Sequence, residues 1–595
     1  MFVGCVALAT SCDLTENVQV KADKSMIFGS KSGLELYSNS FYKALPTLKN
    51  GFMQDKMCDV GAVSNTDTFI KQGAYNTETA TSWSWGALKN INYFIDGCND
   101  PKYCTVDDNT RDNYLGIARW FRAWFYYYKL TTYGEVPWFP HDIQSYQNDV
   151  MYKDRDSRDV IIRNLIADLD FAYEHIQATS STGSSTLTRW AAAALKSRVC
   201  LFEAAYRRYH NLTGLEITPE ELYREAAKAA KLVIDNSGCS LNTATGKKGA
   251  YRDLFYNETP LTQEVILAVC ANEKSGIFGE QNWWFNARSY GLCWSLVRSF
   301  VHTYLKLDGT PFTDAADYAV KSFTEEMEGR DLRLEQTVRG RNFLWDGKTA
   351  VADIKNLSLT GYQVIKYTLD ESKYDGGAKN INSIPLIRYA EVLLNYAEAQ
   401  AELGVITDSE WALTVGALRK RAGITGGTET LPTTVDGYLQ RTFYPDVTSP
   451  VLLEIRRERA IELVAEGMRF DDLRRWKCGS LMETLPWSGI HIPGLEQPVD
   501  VNGDGVDDYY FTEGEVTAAP AAYRNIAIRV NQDGVGLYAE ANAVAGYDLV
   551  YKTGAGDRYW YPDGRQYLYP IPAKVIRDYK NAGYTISQNP YWDNE

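Results

Sequence analysis

The sequence predicts a mostly α-helical fold of tetratricopeptide-like helix pairs with long inserts of irregular and short β structure. Three observations carry this. Apolar residues recur at helical spacing in paired segments, small residues line the facing stripes, and two long stretches rich in Gly, Asn, Asp and aromatic residues interrupt the pairs. The repeats follow no strict 34-residue period, so the alternative is an ordinary helical enzyme core.

Residues 1–12, ending Leu8-Ala9-Thr10-Ser11-Cys12, have the apolar run and small residues of a lipoprotein signal peptide, with Cys12 the residue to be lipidated. No Lys or Arg precedes the run, and Leu8 stands four residues before Cys12 instead of three; a start codon further upstream would supply the basic residues. An apolar N-terminal strand is the competing reading. Residues 13–30 are polar and patternless, as a tether would be.

A helical region follows over 31–236. Asn113–Thr132 and Ser157–Ile176 form a first pair. In Trp190–Tyr209 the set Ala191, Leu195, Val199, Phe202 and Tyr206 makes one stripe. Its partner, Tyr223–Asp235, is announced by Thr218 as N-cap and Pro219 at the first turn. Ahead of the first pair, Cys98 and Cys104 flank a turn-rich loop short enough for a disulfide; the other cysteines read equally well as free thiols. Residues 237–384 form an insert with β-like runs such as Glu264–Val269. Helical repeats resume over 385–480, pairing Ala390–Leu403 with Glu410–Ala422 and Val451–Glu466 with Phe470–Lys477. Residues 481–595 hold a second insert and the tail, where Pro570 and Pro572 fix an extended segment and Tyr591 and Trp592 have reason to pack back on the body.

The charge narrows the function classes. A formal net charge of −14 argues against nucleic acid and suits a neutral ligand. The 41 Tyr, 15 Trp and 21 Phe supply flat apolar faces beyond what a core needs. The five histidines are scattered, and there is no His-Glu-x-x-His, nucleophile elbow, Walker loop or dinucleotide fingerprint. No catalytic residue is therefore assigned, although a carboxylate pair of a glycosidase would leave no motif.

Two local patterns carry binding chemistry. In Asp500-Val501-Asn502-Gly503-Asp504-Gly505-Val506-Asp507-Asp508, oxygen ligands at positions 1, 3 and 5, glycine at 6 and an acid at 9 match a calcium loop. Position 12 is Phe511, so it is no complete EF-hand; a structural Ca²⁺ held by Asp500, Asn502, Asp504, the Val506 carbonyl and Asp508 is expected. The cluster Asn282-Trp283-Trp284 through Tyr290 mixes rings with amides and a guanidinium, which suits the apolar face and hydroxyl rim of a sugar. Arg341 with Trp345 is a second candidate surface, and Asp59 with Trp83 a third.

Three longer blocks resemble the SusD/RagB family. Pro385-Leu386-Ile387-Arg388-Tyr389-Ala390-Glu391 through Ala399 is one, and Arg456-Arg457-Glu458-Arg459 through Gly467-Met468-Arg469-Phe470-Asp471-Asp472-Leu473-Arg474-Arg475-Trp476 a second. The third is the tail, Leu568-Tyr569-Pro570-Ile571-Pro572 with Ser587-Gln588-Asn589-Pro590-Tyr591-Trp592; Tyr133-Gly134-Glu135-Val136-Pro137 adds to them. The resemblance implies a SusD-like fold and a non-catalytic, lipid-anchored protein on the outer-membrane surface. It would capture oligosaccharide for a SusC-like TonB-dependent transporter. Peptide capture is the alternative within the family; a surface glycoside hydrolase and a cytoplasmic tetratricopeptide scaffold are the alternatives outside it. The charged residues of the blocks are expected to pair within the fold.

Overall fold

A computed structural model describes residues 24–49, 55–286 and 292–592. The predicted pairs form. Asp108–Tyr133 packs on Arg158–His175, and Arg189–Tyr209 lies between Arg158–His175 and Pro219–Asn236. Thr218 closes a reciprocal capping box with Glu221, which satisfies two orphan amides and sets where this helix starts. Tyr389–Glu402 then packs on Pro219–Asn236 and on Pro450–Glu462, continuing the stack. The alanine stripes Ala191–Ala194 and Ala226–Ala230 are buried, letting neighbouring helix axes approach closely.

One expected helix breaks. Glu410–Ala422 is two helices, Asp408–Leu413 and Val415–Arg421, divided at Thr414. The Thr414 hydroxyl donates back to the Glu410 carbonyl at 2.6 Å, a local bond that competes with helix continuation. A methyl at Gly416 would also sit 1.9 Å from the Thr428 carbonyl, so the following loop presses directly on this backbone.

The first insert is closed at its base by antiparallel strands Val265–Val269 and Ile384–Arg388, with Val265 opposite Arg388 and Val269 opposite Ile384. The second carries two three-stranded sheets: Ser488–Ile492 with Tyr547–Lys552 and Gly536–Ala541, and Pro498–Val499 with Tyr509–Thr512 and Ala527–Arg529.

The charged residues of the repeat blocks make a buried ionic lattice. Arg388 reaches Glu264 at 2.9 Å, Glu462 at 2.6 Å and Glu466 at 2.7 Å. Arg333 meets Glu458 and Glu462, and Arg421 also binds Glu462. Burial alone would push the Glu462 carboxyl up, but Arg421, Arg388 and Arg333 together hold it far below the usual carboxylate range.

The tail is stapled. Tyr569 stacks on Phe69 with centroids 3.9 Å apart. The Asn589 amide donates to the carbonyls of Tyr133 and Tyr569 at 2.9 and 2.7 Å. Trp592 is 2% exposed and its indole N–H donates to Arg565 and Leu568 carbonyls, whereas Tyr591 is 56% exposed and takes no part in the staple.

Two further expectations change. The tether does not reach residue 30: Lys24–Phe28 is helical and Phe28 is fully buried against Tyr93 and Phe94. Cys98 and Cys104 are free thiols. Their loop is closed instead by Asp100, whose carbonyl accepts from Cys104 N–H at 2.9 Å and whose carboxylate accepts from Lys102 N–H at 3.0 Å.

Candidate ligand-binding surface

The first two sequence candidates share one support, the segment from Leu369 to Gly377. Trp283 and Trp284 lie on the short helix Gln281–Asn286, tilted against each other with centroids 5.3 Å apart. Asn282 donates to the Leu369 carbonyl at 2.8 Å, and Asn282 and Asn286 both donate to Asp375 at 3.2 Å. The Trp283 ring runs over Gly377, where an added methyl would stand 3.8 Å from it.

Trp345 approaches the same segment from a two-residue hairpin, Leu344–Trp345 paired with Lys348–Thr349. Asp346 and Gly347 take positive φ at its tip, as a tight hairpin turn requires. Asp346 accepts from Ser372 N–H at 2.9 Å and donates its own N–H to the Asp370 carbonyl at 3.0 Å. Phe343 stacks on Trp345, and the Arg339 guanidinium sits 5.5 Å from the Trp345 centroid. Arg339 also donates to Gln363, which in turn donates to Asn286. Trp283 and Trp345 are both half-buried and Leu344 is 51% exposed, so part of each tryptophan remains accessible beside an exposed hairpin. Burial raises the Asp375 carboxyl above its ordinary range, partly offset by the Asn282 and Asn286 amides.

Asn282 and Asp59 prove structural. Asn282 is fully buried and makes its bonds within the protein, so it positions the Trp283 helix. Asp59 is 1% exposed and forms a two-pronged pair with Arg469 at 2.7 and 2.6 Å, which removes it from any ligand surface. Arg341 pairs with Glu328 at 2.7 Å at the surface. Trp284 is half-buried with its indole N–H shielded from solvent. Tyr290 and Cys12 lie outside the described residues.

Trp83 belongs to a different surface. It packs edge-on against Trp85 and Tyr133, with centroids 5.3 and 4.9 Å away. With Phe139, Tyr152 and Tyr579 it lines a groove of about 1050 Å³ between the helix Gly86–Cys98 and the C-terminal helix Ala573–Asn581. Asp375 and Arg339, which tie the shared surface together, were not singled out from sequence; nothing local marks an acid and an arginine as a loop support.

In the acidic loop, Asp500 accepts from the Gly503 and Gly505 amides at 2.7 and 2.8 Å, and Asp504 from Val506 N–H at 2.9 Å. Burial raises the Asp508 carboxyl; the Val501 and Asn502 amides oppose this, and the neighbouring Asp500 and Asp504 charges add to it. Three acids thus repel one another here, the electrostatic condition a cation would relieve. With the carboxylates turned onto loop amides, no group of three or more His, Cys, Asp or Glu side chains stands ready to hold a metal among the described residues. Among those residues, too, no helix is long and apolar enough to cross a membrane.

Comparison with solved structures finds the same architecture throughout the chain. A SusD-like protein from Bacteroides fragilis NCTC 9343 is 20% identical with a TM-score of 0.65, covering 96% of this chain and 98% of its own. A SusD-like carbohydrate-binding protein from the same strain is 18% identical with a TM-score of 0.65, covering 94% and 99%. A SusD homologue from Bacteroides thetaiotaomicron VPI-5482 is 17% identical with a TM-score of 0.63, covering 97% and 100%. No curated protein matches the chain. The sequence profile of the SusD family matches residues 263–592, more than half of the chain, taking in the ionic repeat block, both faces of the Trp283–Trp345 surface and the stapled tail. The protein therefore belongs to the SusD family.

Proposed function

We propose that the protein captures oligosaccharide on the Trp283–Trp345 surface and hands it to a SusC-like TonB-dependent transporter. A lipid at Cys12 would hold it on the outer-membrane surface. The observation that carries the reading is the convergence of two half-buried tryptophans, one from a short helix and one from a hairpin, on one support within the SusD fold. Such rings offer stacking faces for the C–H side of a pyranose, while the amides and Asp375 beneath them are already engaged with one another and hold the rings in place. A relative described as carbohydrate-binding supports sugar over peptide.

Within the same reading, Asp500, Asn502, Asp504, the Val506 carbonyl and Asp508 would hold a structural Ca²⁺. The ion would supply the positive charge that the crowded carboxylates lack.

Glycan-array binding by the purified protein is the direct test, followed by titration of Trp283→Ala and Trp345→Ala against the best ligand. An array without binding, beside a peptide library with it, would transfer the assignment to peptides. For the anchor, metabolic lipid labelling should mark the full-length precursor and fail in Cys12→Ala; label retained in that variant would refute it.

A further inference from the structure

Among the described residues three lysines are buried: Lys129, Lys196 and Lys366. Two have carboxylate partners. Lys196 meets Asp170 at 2.7 Å and Glu225 at 2.6 Å, and Lys366 meets Glu466 at 2.6 Å. Lys129 is 8% exposed and has none; its ammonium donates to the Ser82 carbonyl at 3.1 Å. Around it stand the rings of Trp83, Trp85, Phe125 and Tyr133, at 5.7, 5.2, 5.4 and 5.4 Å. An ammonium has three donors, and a buried one without a counter-charge is costly.

The lysine also borders a cavity of about 360 Å³ on the face of the long helix Asp108–Tyr133. That face is two adjoining rows at i, i+4 spacing: Trp124, Tyr128 and Thr132 beside Phe125, Lys129 and Tyr133. The cavity thus combines a cation without a carboxylate partner, aromatic walls and the hydroxyl-bearing residues Ser82, Tyr128, Thr132 and Tyr133, at the size of a single sugar ring.

We propose that this cavity binds an acidic sugar residue, its carboxylate at Lys129 and its ring against the Trp124 and Tyr128 side chains. A single ammonium balances the one negative charge of a carboxylate and leaves a dianionic phosphate half-compensated. The aromatic walls favour a pyranose over a bare peptide carboxylate. The proposal rests on different elements from the Trp283–Trp345 surface, so its failure would leave neutral glycan capture there untouched.

The test is titration of the purified protein with glucuronate, glucose and N-acetylglycine, with melting curves alongside. Glucuronate should bind about tenfold tighter than glucose, the yield of one charge-assisted hydrogen bond, and tighter than N-acetylglycine, which has the carboxylate but no ring for the aromatic walls. Lys129→Met should erase that preference while melting at or above the wild-type temperature, since it removes an unpaired buried charge; Lys129→Arg should retain part of it. Equal binding of glucuronate and glucose by the wild type would overturn the proposal whatever the variants do. Equal binding of N-acetylglycine and glucuronate would overturn the sugar assignment in favour of a peptide carboxylate, and an undiminished preference in Lys129→Met would overturn the role of the lysine.

Discussion

The repeat block 385–480 and the insert 481–560 lie next to each other in sequence and hold themselves together by different means. The block buries Arg388, Arg419, Arg421, Arg456, Arg459, Arg469 and Arg475 together with Glu391, Glu398, Glu458, Glu462 and Asp472. In the insert the buried polar residues among those described are His491, Asn502 and Thr512. Its short strands are tied by turns and by side chains capping local amides, as Asp500 does. A lattice in which Glu462 serves three guanidiniums, and Glu458 and Asp472 two each, defines one arrangement and punishes any loss. A set of local turns can change residue by residue while the frame stays put. The division suits a protein whose frame must be constant and whose surface must meet a ligand.

The sharpest way to break the comparison is to remove one anion from the lattice. Glu462→Ala leaves Arg388, Arg421 and Arg333 facing one another without their shared carboxylate. Breaking a buried pair from one side costs about 3–5 kcal/mol, so the variant should melt far below the wild type or fail to accumulate. A Tm within a degree or two of wild type would show that the lattice contributes little.

Lys129 is the one buried lysine among the described residues without a carboxylate partner, and its ammonium is shifted accordingly. Burial lowers its ammonium from 10.5 to about 8. Below pH 8 both folded and unfolded chains carry the proton, and the folded state bears the full cost of the buried charge. Between about pH 8 and 10.5 the unfolded chain binds a proton that the folded chain does not, so this residue makes stability rise with pH. Lys129→Met lacks that rise. Its stability advantage over the wild type, at most about 3 kcal/mol near neutrality, should therefore shrink as denaturant midpoints are measured from pH 7.5 to 10. An advantage constant with pH would contradict the assignment.

On the binding surface the expectation reverses: affinity falls while stability holds. Trp283→Ala removes a half-buried ring and should lose about 2 kcal/mol of glycan affinity, roughly thirtyfold, with little change in melting. Trp284→Ala, whose indole is packed inward, should lower the melting temperature and binding together. If Trp283→Ala binds and melts as wild type, capture lies elsewhere, and the Trp83 groove is the next surface to test.

Much of the body was legible because its signals are local. Thr218 and Pro219 announce a helix start, and the Ala191–Tyr206 stripe repeats every three or four residues. The break at Thr414 was not legible, because it depends on a carbonyl from Thr428 pressing against Gly416. The binding surface was legible in part. Trp283 and Trp345 stand out by composition, but that they share the 369–377 support is a long-range fact, written in Asp346, Asp370 and Asp375, residues that look like ordinary loop polars. Asp59 misled because an acid beside a Cys and a Val in a Gly-containing stretch gives no hint of its partner 410 residues along the chain. Lys129 could have been noticed, since a lysine between Phe125 and Tyr133 at i, i+4 spacing is unusual on an otherwise buried face.

The smallest expected effect tests the insert on its own terms. If Ca²⁺ sits among Asp500, Asn502, Asp504 and Asp508, it binds the folded loop and not the unfolded chain, and stabilises by an amount set by its concentration over its dissociation constant. Extracellular calcium modules bind at about 10⁻⁴–10⁻³ M, so 2 mM calcium should contribute on the order of 1 kcal/mol. That is small beside the lattice, and it should be felt locally. Chelation ought to speed amide exchange at Val501, Asn502 and Gly503 and in the strand Tyr509–Thr512, while amides of Tyr389–Glu402 and Pro450–Glu462 keep their protection. Asp504→Ala should reproduce the chelated pattern and make it insensitive to calcium. Equilibrium dialysis showing no bound calcium at millimolar concentration would strike out the ion. Exchange that quickened equally in the helices would instead show that the insert and the ionic body unfold as one unit, and the contrast between them would fall.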